Sequence, residues 1–323
     1  MARVLCITLN PALDLAFSLE QLTLGGVNRP SHAQLEAAGK GVNVARVLAG
    51  LGHEVTVSGF LGSDNDAPFT LAFRHAGLND DFVRVAGETR INAKLAEQSG
   101  RVTDINGPGM PITSEDLQHL TARLDTHLKS ATPPLAVVVA GSLPPGLSLD
   151  DFRDLLGHLK ASGVPLWVDT SGEALNAAIG IQPAAVKPNE LELAEWAGAA
   201  LTHDTARLDA TQRLHHSGVE HALMSAGADG VLWVSPLGVW QATPPHVTAV
   251  NTVCAGDTFV AGMLHGLLSG HTPDQTLRFA TALSADAVRH VGVGNPQADD
   301  FDSLQQQTRV RRLDDPITEG APL

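Results

Sequence analysis

What most constrains this chain is a rhythm. Short β-rich apolar runs at residues 4–9, 54–60, 135–140, 166–169, 184–187 and 222–225 alternate with stretches whose apolar residues recur at helical spacing. Val44, Ala45, Val47, Leu48 and Leu51 form one such stripe; Leu117, Leu120, Leu124 and Leu128 form a second, and Phe152, Leu155, Leu156 and Leu159 a third. Strand, helix and strand in repetition predict an α/β fold, a doubly wound and mostly parallel sheet with helices on both faces. Ligands then belong at the carboxyl ends of the strands.

Two stretches break the rhythm. Residues 12–35 carry no helical stripe, and in residues 90–105 the runs INAKLAE and RVTDI flank the turn candidates Gln98, Ser99 and Gly100, which predicts a hairpin. Strands inserted between βα units and unable to join the main sheet form a small sheet of their own, expected here as a lid; the plainer alternative is a surface hairpin with no role. The expected layout is one domain over residues 1–310, with lid strands inserted at about 12–35 and 90–105. The polar end from residue 305 is left out of the fold, with 311–323 expected to fray.

With 43% hydrophobic residues in 323, the chain can bury a large core. A formal charge of −14 would repel a phosphate backbone, so nucleic acid is not expected as a partner. No apolar run approaches the ~20 residues that span a bilayer. Two cysteines, Cys6 and Cys254, are too few for a disulfide framework, and the N-terminal sequence lacks the length of a leader, so a reducing cytoplasm is expected. Lysine is scarce, five against sixteen arginines, so each lysine beside a glycine or in an ordered motif merits inspection.

Four polar loops fall at predicted strand ends. Cys254, Ala255, Gly256 and Asp257 lead into the apolar run 259–268, a loop feeding a helix whose unpaired N–H groups attract phosphate oxygens. A carboxylate there repels a resting anion, so Asp257 makes sense as the base for a hydroxyl attacking phosphorus; a simple N-cap is the bland alternative. Gly39, Lys40, Gly41 and Asn43 open another helix, although Gln34 and Gly41 stand where a Walker A loop needs Gly and Ser or Thr. That loop can hold an anionic or hydroxylated ligand, or it is an ordinary turn with a solvated lysine. Ser225, Gly227 and Gly230 read most simply as a hairpin turn, and Lys187, Asn189 and Glu192 end a strand and open a helix.

Seven segments in order carry a resemblance: ITLNPALD at 7–14, AAGKGVNVARVL at 37–48, TRINAKL at 89–95, GSLPPG at 141–146, VKPNELEL at 186–193, SAGADG at 225–230 and TVCAGDTFVAG at 252–262. Over roughly residues 3–300 the chain resembles the ribokinase-like, PfkB family of carbohydrate kinases, and within it the bacterial 1-phosphofructokinases. The resemblance implies ATP- and Mg²⁺-dependent phosphorylation of fructose 1-phosphate at its C6 hydroxyl, giving fructose 1,6-bisphosphate and ADP. It implies Asp257 as base, with the backbone of Ala255 and Gly256 facing the transferring group. Asp14, Gly39 and Asn43 match positions that hold sugar hydroxyls, and Lys40, Arg90 and Lys94 are candidates for the substrate's phosphate. Asn189 and Glu192 fit an element that organises Mg²⁺ through water; Lys187, Asn189, Ser225, Gly227 and Gly230 fit the nucleotide side. By analogy, a homodimer through the lid is implied.

Tagatose 6-phosphate and fructose 6-phosphate are the rival substrates. A dinucleotide-dependent dehydrogenase is disfavoured because Asn10 and Pro11 stand where a glycine-rich turn should follow the first strand. A non-catalytic sugar-phosphate sensor would lack the base, and Asp257 is present. One departure from the family is Cys254 in place of a glycine. If that position demands positive φ, a side chain there costs roughly 1–2 kcal/mol. A helix N-terminus would also favour its thiolate, while burial would oppose it; Cys6, within a strand, is expected to be inert.

Overall fold

The computed structural model describes residues 1–314. Among them the main sheet has eleven strands. From one edge the order runs β15 (Arg309–Arg312), β14 (Gly238–Thr243), β13 (Val231–Ser235), β12 (His221–Ser225), β11 (Ala185–Val186), β10 (Leu166–Asp169), β9 (Ala136–Ala140), β1 (Arg3–Thr8), β4 (Glu54–Gly62) and β5 (Asn79–Asp80), with β6 (Val83–Val85) also on β4. The strands from β12 to β5 are parallel, and β13, β14 and β15 are antiparallel additions.

Alternation along the buried strands separates two cores. In β1, Val4 and Cys6 face one and Leu5 and Ile7 the other; in β9, Ala136, Val138 and Ala140 oppose Val137 and Val139. The first core is covered by α1 (Lys40–Gly50), α2 (Ala67–Ala76), α8 (Ala255–Leu268), α9 (Pro273–Ala287) and α10 (Phe301–Gln307). On the second lie α3 (Ser114–Leu128), α4 (Leu149–Ala161), α5 (Gly172–Gly180), α6 (Glu190–Ala197) and α7 (Asp204–His216). Reciprocal capping boxes fix the starts of α3 (Thr113 with Asp116), α4 (Ser148 with Asp151), α6 (Asn189 with Glu192) and α9 (Thr272 with Gln275).

The segments that broke the rhythm form a separate four-stranded sheet, ordered β3 (His32–Ala38), β2 (Ala12–Leu19), β7 (Ile91–Glu97) and β8 (Val102–Ile105). Its β7–β8 hairpin turns through Gly100 at φ 86°. The tail is ordered further than expected. Residues 309–312 add β15 to the sheet edge, where Arg311 donates to Gln241 at 2.7 Å and Arg312 lies 5.7 Å from the Trp240 ring. A run of arginines that reads as solvated tail is also the charged composition that edge strands carry. The remainder of the expected frayed tail, 315–323, lies outside the described residues. Among the described residues no helix is long and apolar enough to cross a membrane.

Candidate active site

Two helix N-termini meet at the carboxyl ends of the central strands. Gly39, at φ 143°, caps α1 where a Cβ would sit 2.9 Å from the Thr8 methyl, so only glycine lets the helix begin this close to β1. Asn43, one turn along α1, is buried and donates through Nδ2 to Asp257 Oδ2 at 2.8 Å. Asp257 itself lies in the first turn of α8 at 3% exposure. Burial, reinforced by the charge of Asp169, pushes its carboxyl up to about 7, while Lys40, the Asn43 hydrogen bond and Lys187 pull downward.

Asp169 is the site residue that the sequence reading missed. It ends β10 at 2% exposure, with Lys40 Nζ at 3.4 Å and Lys187 Nζ at 3.6 Å from Oδ1, and among the described residues its Oδ2 has no hydrogen-bond partner. Burial works to raise Asp169, but Lys187 and Lys40 outweigh it and hold the carboxyl below its ordinary value. Lys40 is raised, first by Asp169 and against its own burial. The available signal was an acid at the carboxyl end of a fully buried parallel strand, where such folds keep their ligands.

A cleft of about 640 Å³ opens from this point. Lys40, Asp169, Lys187, Asn189, Glu192, Ser225, Gly227, Gly230, Ala255, Gly256 and Asp257 all line it, and Pro244, Pro245, Val247, Val253 and Val288 give it an apolar wall. The antiparallel turn between β12 and β13 puts Gly227 and Gly230 here. Gly230 has φ 101°, and a Cβ on it would collide with the Ala242 carbonyl oxygen. Asn189 and Glu192 are engaged with each other as the α6 capping box, Asn189 Oδ1 accepting from Glu192 N at 2.9 Å and Glu192 Oε2 from Asn189 N at 2.8 Å. Their pattern therefore has a structural explanation alongside the functional one.

Asp14, Gly39, Asn43, Arg90, Lys94 and Cys254 do not line that cleft. Three of them belong to the lid or its root. Asp14 on β2 pairs with Lys94 on β7 at 2.8 Å and accepts from Asn92 Nδ2 at 2.9 Å. Asn92 was also missed, although it shares the polar lid face with Asp14 and Lys94 by period two. Arg90 donates to the carbonyls of Asn10 (2.8 Å), Pro11 (3.2 Å) and Gly107 (3.0 Å), which ties the root of the lid to the end of β1.

Cys254 caps α8 at φ −92° and ψ 1°, so the loop requires no positive φ and the substitution for glycine carries no backbone strain there. Its Sγ lies 3.6 Å from Asn43 Nδ2. Burial, with the charge of Asp257 behind it, pushes the thiol up to about 12, so of the two opposed effects open from the sequence burial prevails over the helix N-terminus. Cys6 is fully buried in β1, and burial raises its thiol too.

Cations, helix dipoles and a buried carboxyl thus converge between a cleft and a polar lid face, an arrangement suited to passing a phosphoryl group from one ligand to another. Fold and site together define a kinase of the ribokinase-like class. The family described as pfkB family carbohydrate kinase matches residues 5–300, and the chain belongs to that family. It is 44% identical over 311 residues to the 1-phosphofructokinase of Vibrio cholerae, covering 96% of this chain and 97% of that one. The 1-phosphofructokinase of Escherichia coli is 42% identical over 292 residues, 90% of this chain and 93% of the relative. Among solved structures, phosphofructokinase-2 from Escherichia coli in complex with fructose-6-phosphate superimposes with a TM-score of 0.85 at 27% identity, over 95% of this chain and 99% of that one.

Proposed function

We propose that this kinase transfers the terminal phosphoryl group of ATP to the C6 hydroxyl of fructose 1-phosphate, giving fructose 1,6-bisphosphate and ADP. The observation that carries the mechanism is Asp257, a buried carboxyl raised to about 7 and held by Asn43 between the cleft and the lid. A base with a pKa near neutrality combines a useful deprotonated fraction with proton affinity. Asp257 takes the hydroxyl proton, the C6 oxygen bonds to the terminal phosphorus, and the bond from that phosphorus to the ADP oxygen breaks. Lys40 and Lys187 balance the charge on the phosphate chain, and the first-turn backbone of α8 at Ala255 and Gly256 faces the transferring group, the Ala255 N–H also donating to the Thr252 carbonyl at 3.3 Å. Ser225, Gly227 and Gly230 hold the nucleotide side.

Mg²⁺ fits this donor set, since the unpartnered Asp169 Oδ2 and the Glu192 carboxylate line the same cleft. Asp169 and Glu192 would hold it, with Asn189 reaching it through water, and it would supply neutralisation of the phosphate oxygens. On the sugar side Asp14, Gly39 and Asn43 meet hydroxyls, and Arg90 and Lys94 meet the existing phosphate, whereas Lys40, which lines the cleft beside Asp169, serves the phosphates of the nucleotide. The names of the two 1-phosphofructokinase relatives support fructose 1-phosphate as the substrate. Coupled ADP release with fructose 1-phosphate, fructose 6-phosphate and tagatose 6-phosphate tests the choice: the highest kcat/KM is expected for the first, and a higher value for either of the others overturns it.

The lid supports a homodimer. Leu15, Leu35, Ala93 and Ile105 form one cross-strand row, and Leu13 with Ile91 continues the same face, opposite to Asp14, Asn92 and Lys94. Leu35, Ile91 and Ile105 are 45%, 47% and 59% exposed, an apolar face complementary to its own copy. Sedimentation should give a dimer that Ile105→Lys converts to monomer; a monomeric wild type overturns the assignment.

A further inference from the structure

Arg207 projects from α7 outside the cleft, and its guanidinium is shared among three carboxylates. Nε lies 3.0 Å from Glu190, Nη1 lies 3.2 Å from Asp204 on the same helix, and Nη2 lies 2.9 Å from Asp229. The two long-range partners sit behind the two loops that face the nucleotide. Glu190 is the first residue of α6, between Asn189 and Glu192, which both line the cleft. Asp229 ends the turn Gly227–Asp229, of which Gly227 and Ala228 line the cleft, as does the following Gly230.

These loops have few other ties. Asn189 and Ser225 form a single parallel bridge, and Ser225 N donates to Pro188 O at 3.2 Å. Beyond Ser225 the turn carries glycines at φ 55° and 101°, backbone with wide freedom, closed on itself by Ala226 N to Gly230 O at 2.8 Å. A planar guanidinium can serve carboxylates on two loops at once; an ammonium is a point charge and fixes their spacing less well. Asp229 and Asp204 are 62% and 76% exposed, so these pairs add little to global stability. What the network fixes is the distance between the turn and the start of α6.

We propose that Arg207 is a positioning residue for the nucleotide, holding the 227–230 turn against the start of α6 so that both meet the same ATP molecule. The inference rests on the reading of this cleft as the ATP site. Arg207→Met, Arg207→Lys and Asp229→Asn are compared with wild type by steady-state kinetics in ATP and in fructose 1-phosphate. Arg207→Met is expected to raise KM for ATP by roughly five- to twentyfold while KM for the sugar phosphate stays within about twofold, with Arg207→Lys in between. Adding Asp229→Asn to Arg207→Met should cost little more, since Arg207→Met has already removed the bridge that Asp229 makes. The Tm gain on adding MgATP should shrink while the Tm of the ligand-free protein barely moves. A KM for ATP unchanged in Arg207→Met, or both KM values rising together with a lower ligand-free Tm, overturns the proposal in favour of a plain brace. If Arg207→Met fails to fold, Arg207→Lys and Asp229→Asn carry the same comparison. A wild type without saturable ATP dependence overturns the nucleotide reading itself; a normal wild type with unmoved variants overturns only the role of Arg207.

Discussion

The proposed mechanism asks Asp257 to be two things at once, a charge in a dry place and a base at neutral pH. Its raised carboxyl ties activity to pH: kcat/KM should fall as pH drops through about 7, where the base becomes protonated. Asp257→Asn should lower kcat by ~10² or more and abolish that acid limb. Linkage gives the sign for stability. A carboxyl whose folded pKa is raised binds its proton more tightly in the native state, so folding loses stability as pH rises from its ordinary 3.8 towards about 7. Asp257→Asn should therefore be folded and more stable than wild type at pH 8, as read by Tm; an equally active variant would remove Asp257 from the chemistry. Cys254, two contacts away through Asn43, is held as a neutral thiol by burial. Alkylation at pH 7 should be slow and should inactivate wild type but not Cys254→Gly, with MgATP protecting; equal loss in both proteins counts against a thiol at the phosphate loop.

At the scale of elements, what the sequence made legible and what it hid follow from one cause. Buried parallel strands announce themselves through continuous apolar runs, and residues 166–169 were readable to the residue as β10. The lid hairpin was legible from alternation and a glycine turn. The edge strand β15 was not, because at a solvated edge only Val310 is part-buried and three arginines look like tail. Asp169 was hidden because the chemistry of a strand-end acid depends on Lys40 and Lys187, which the chain brings to it from 129 and 18 residues away. The element at Asn189 and Glu192 shows the opposite difficulty, one pattern serving two purposes. Glutamine also completes a capping box, so Glu192→Gln separates them. The variant should keep its Tm within about a degree or two, since a conserved cap costs little, while the Mg²⁺ concentration needed for half-maximal activity rises. An unchanged Mg²⁺ requirement would leave Glu192 as a cap alone.

Across the whole molecule, α8 connects two pH-sensitive places at opposite ends of the sheet. Its first turn carries Asp257; its last carries His265, whose Nδ1 lies 2.9 Å from His53 Nε2 just ahead of β4. Around this pair stand His271, with its ring 5.6 Å from that of His265, the Ala2 N–H at 3.3 Å from His53 Nδ1, and the chain's amino terminus. Burial, then the charges of His53 and His271, lower His265 from 6.5 to about 4, and burial lowers His53 as well. One shared hydrogen bond accommodates one proton, so a second must be expelled or break the contact. Because the folded pKa lies below the unfolded value, the stabilisation is complete above about 6.5 and is lost as pH falls towards 4. Denaturant titrations should show unfolding free energy declining through that window in wild type and a flatter profile in His265→Phe, whose new ring meets the existing neighbour Phe279. The kinetic acid limb near 7 should be identical in the two proteins, since it belongs to Asp257 at the other end of the helix. A kinetic limb that moves with His265→Phe would mean that α8 transmits the state of one end to the other.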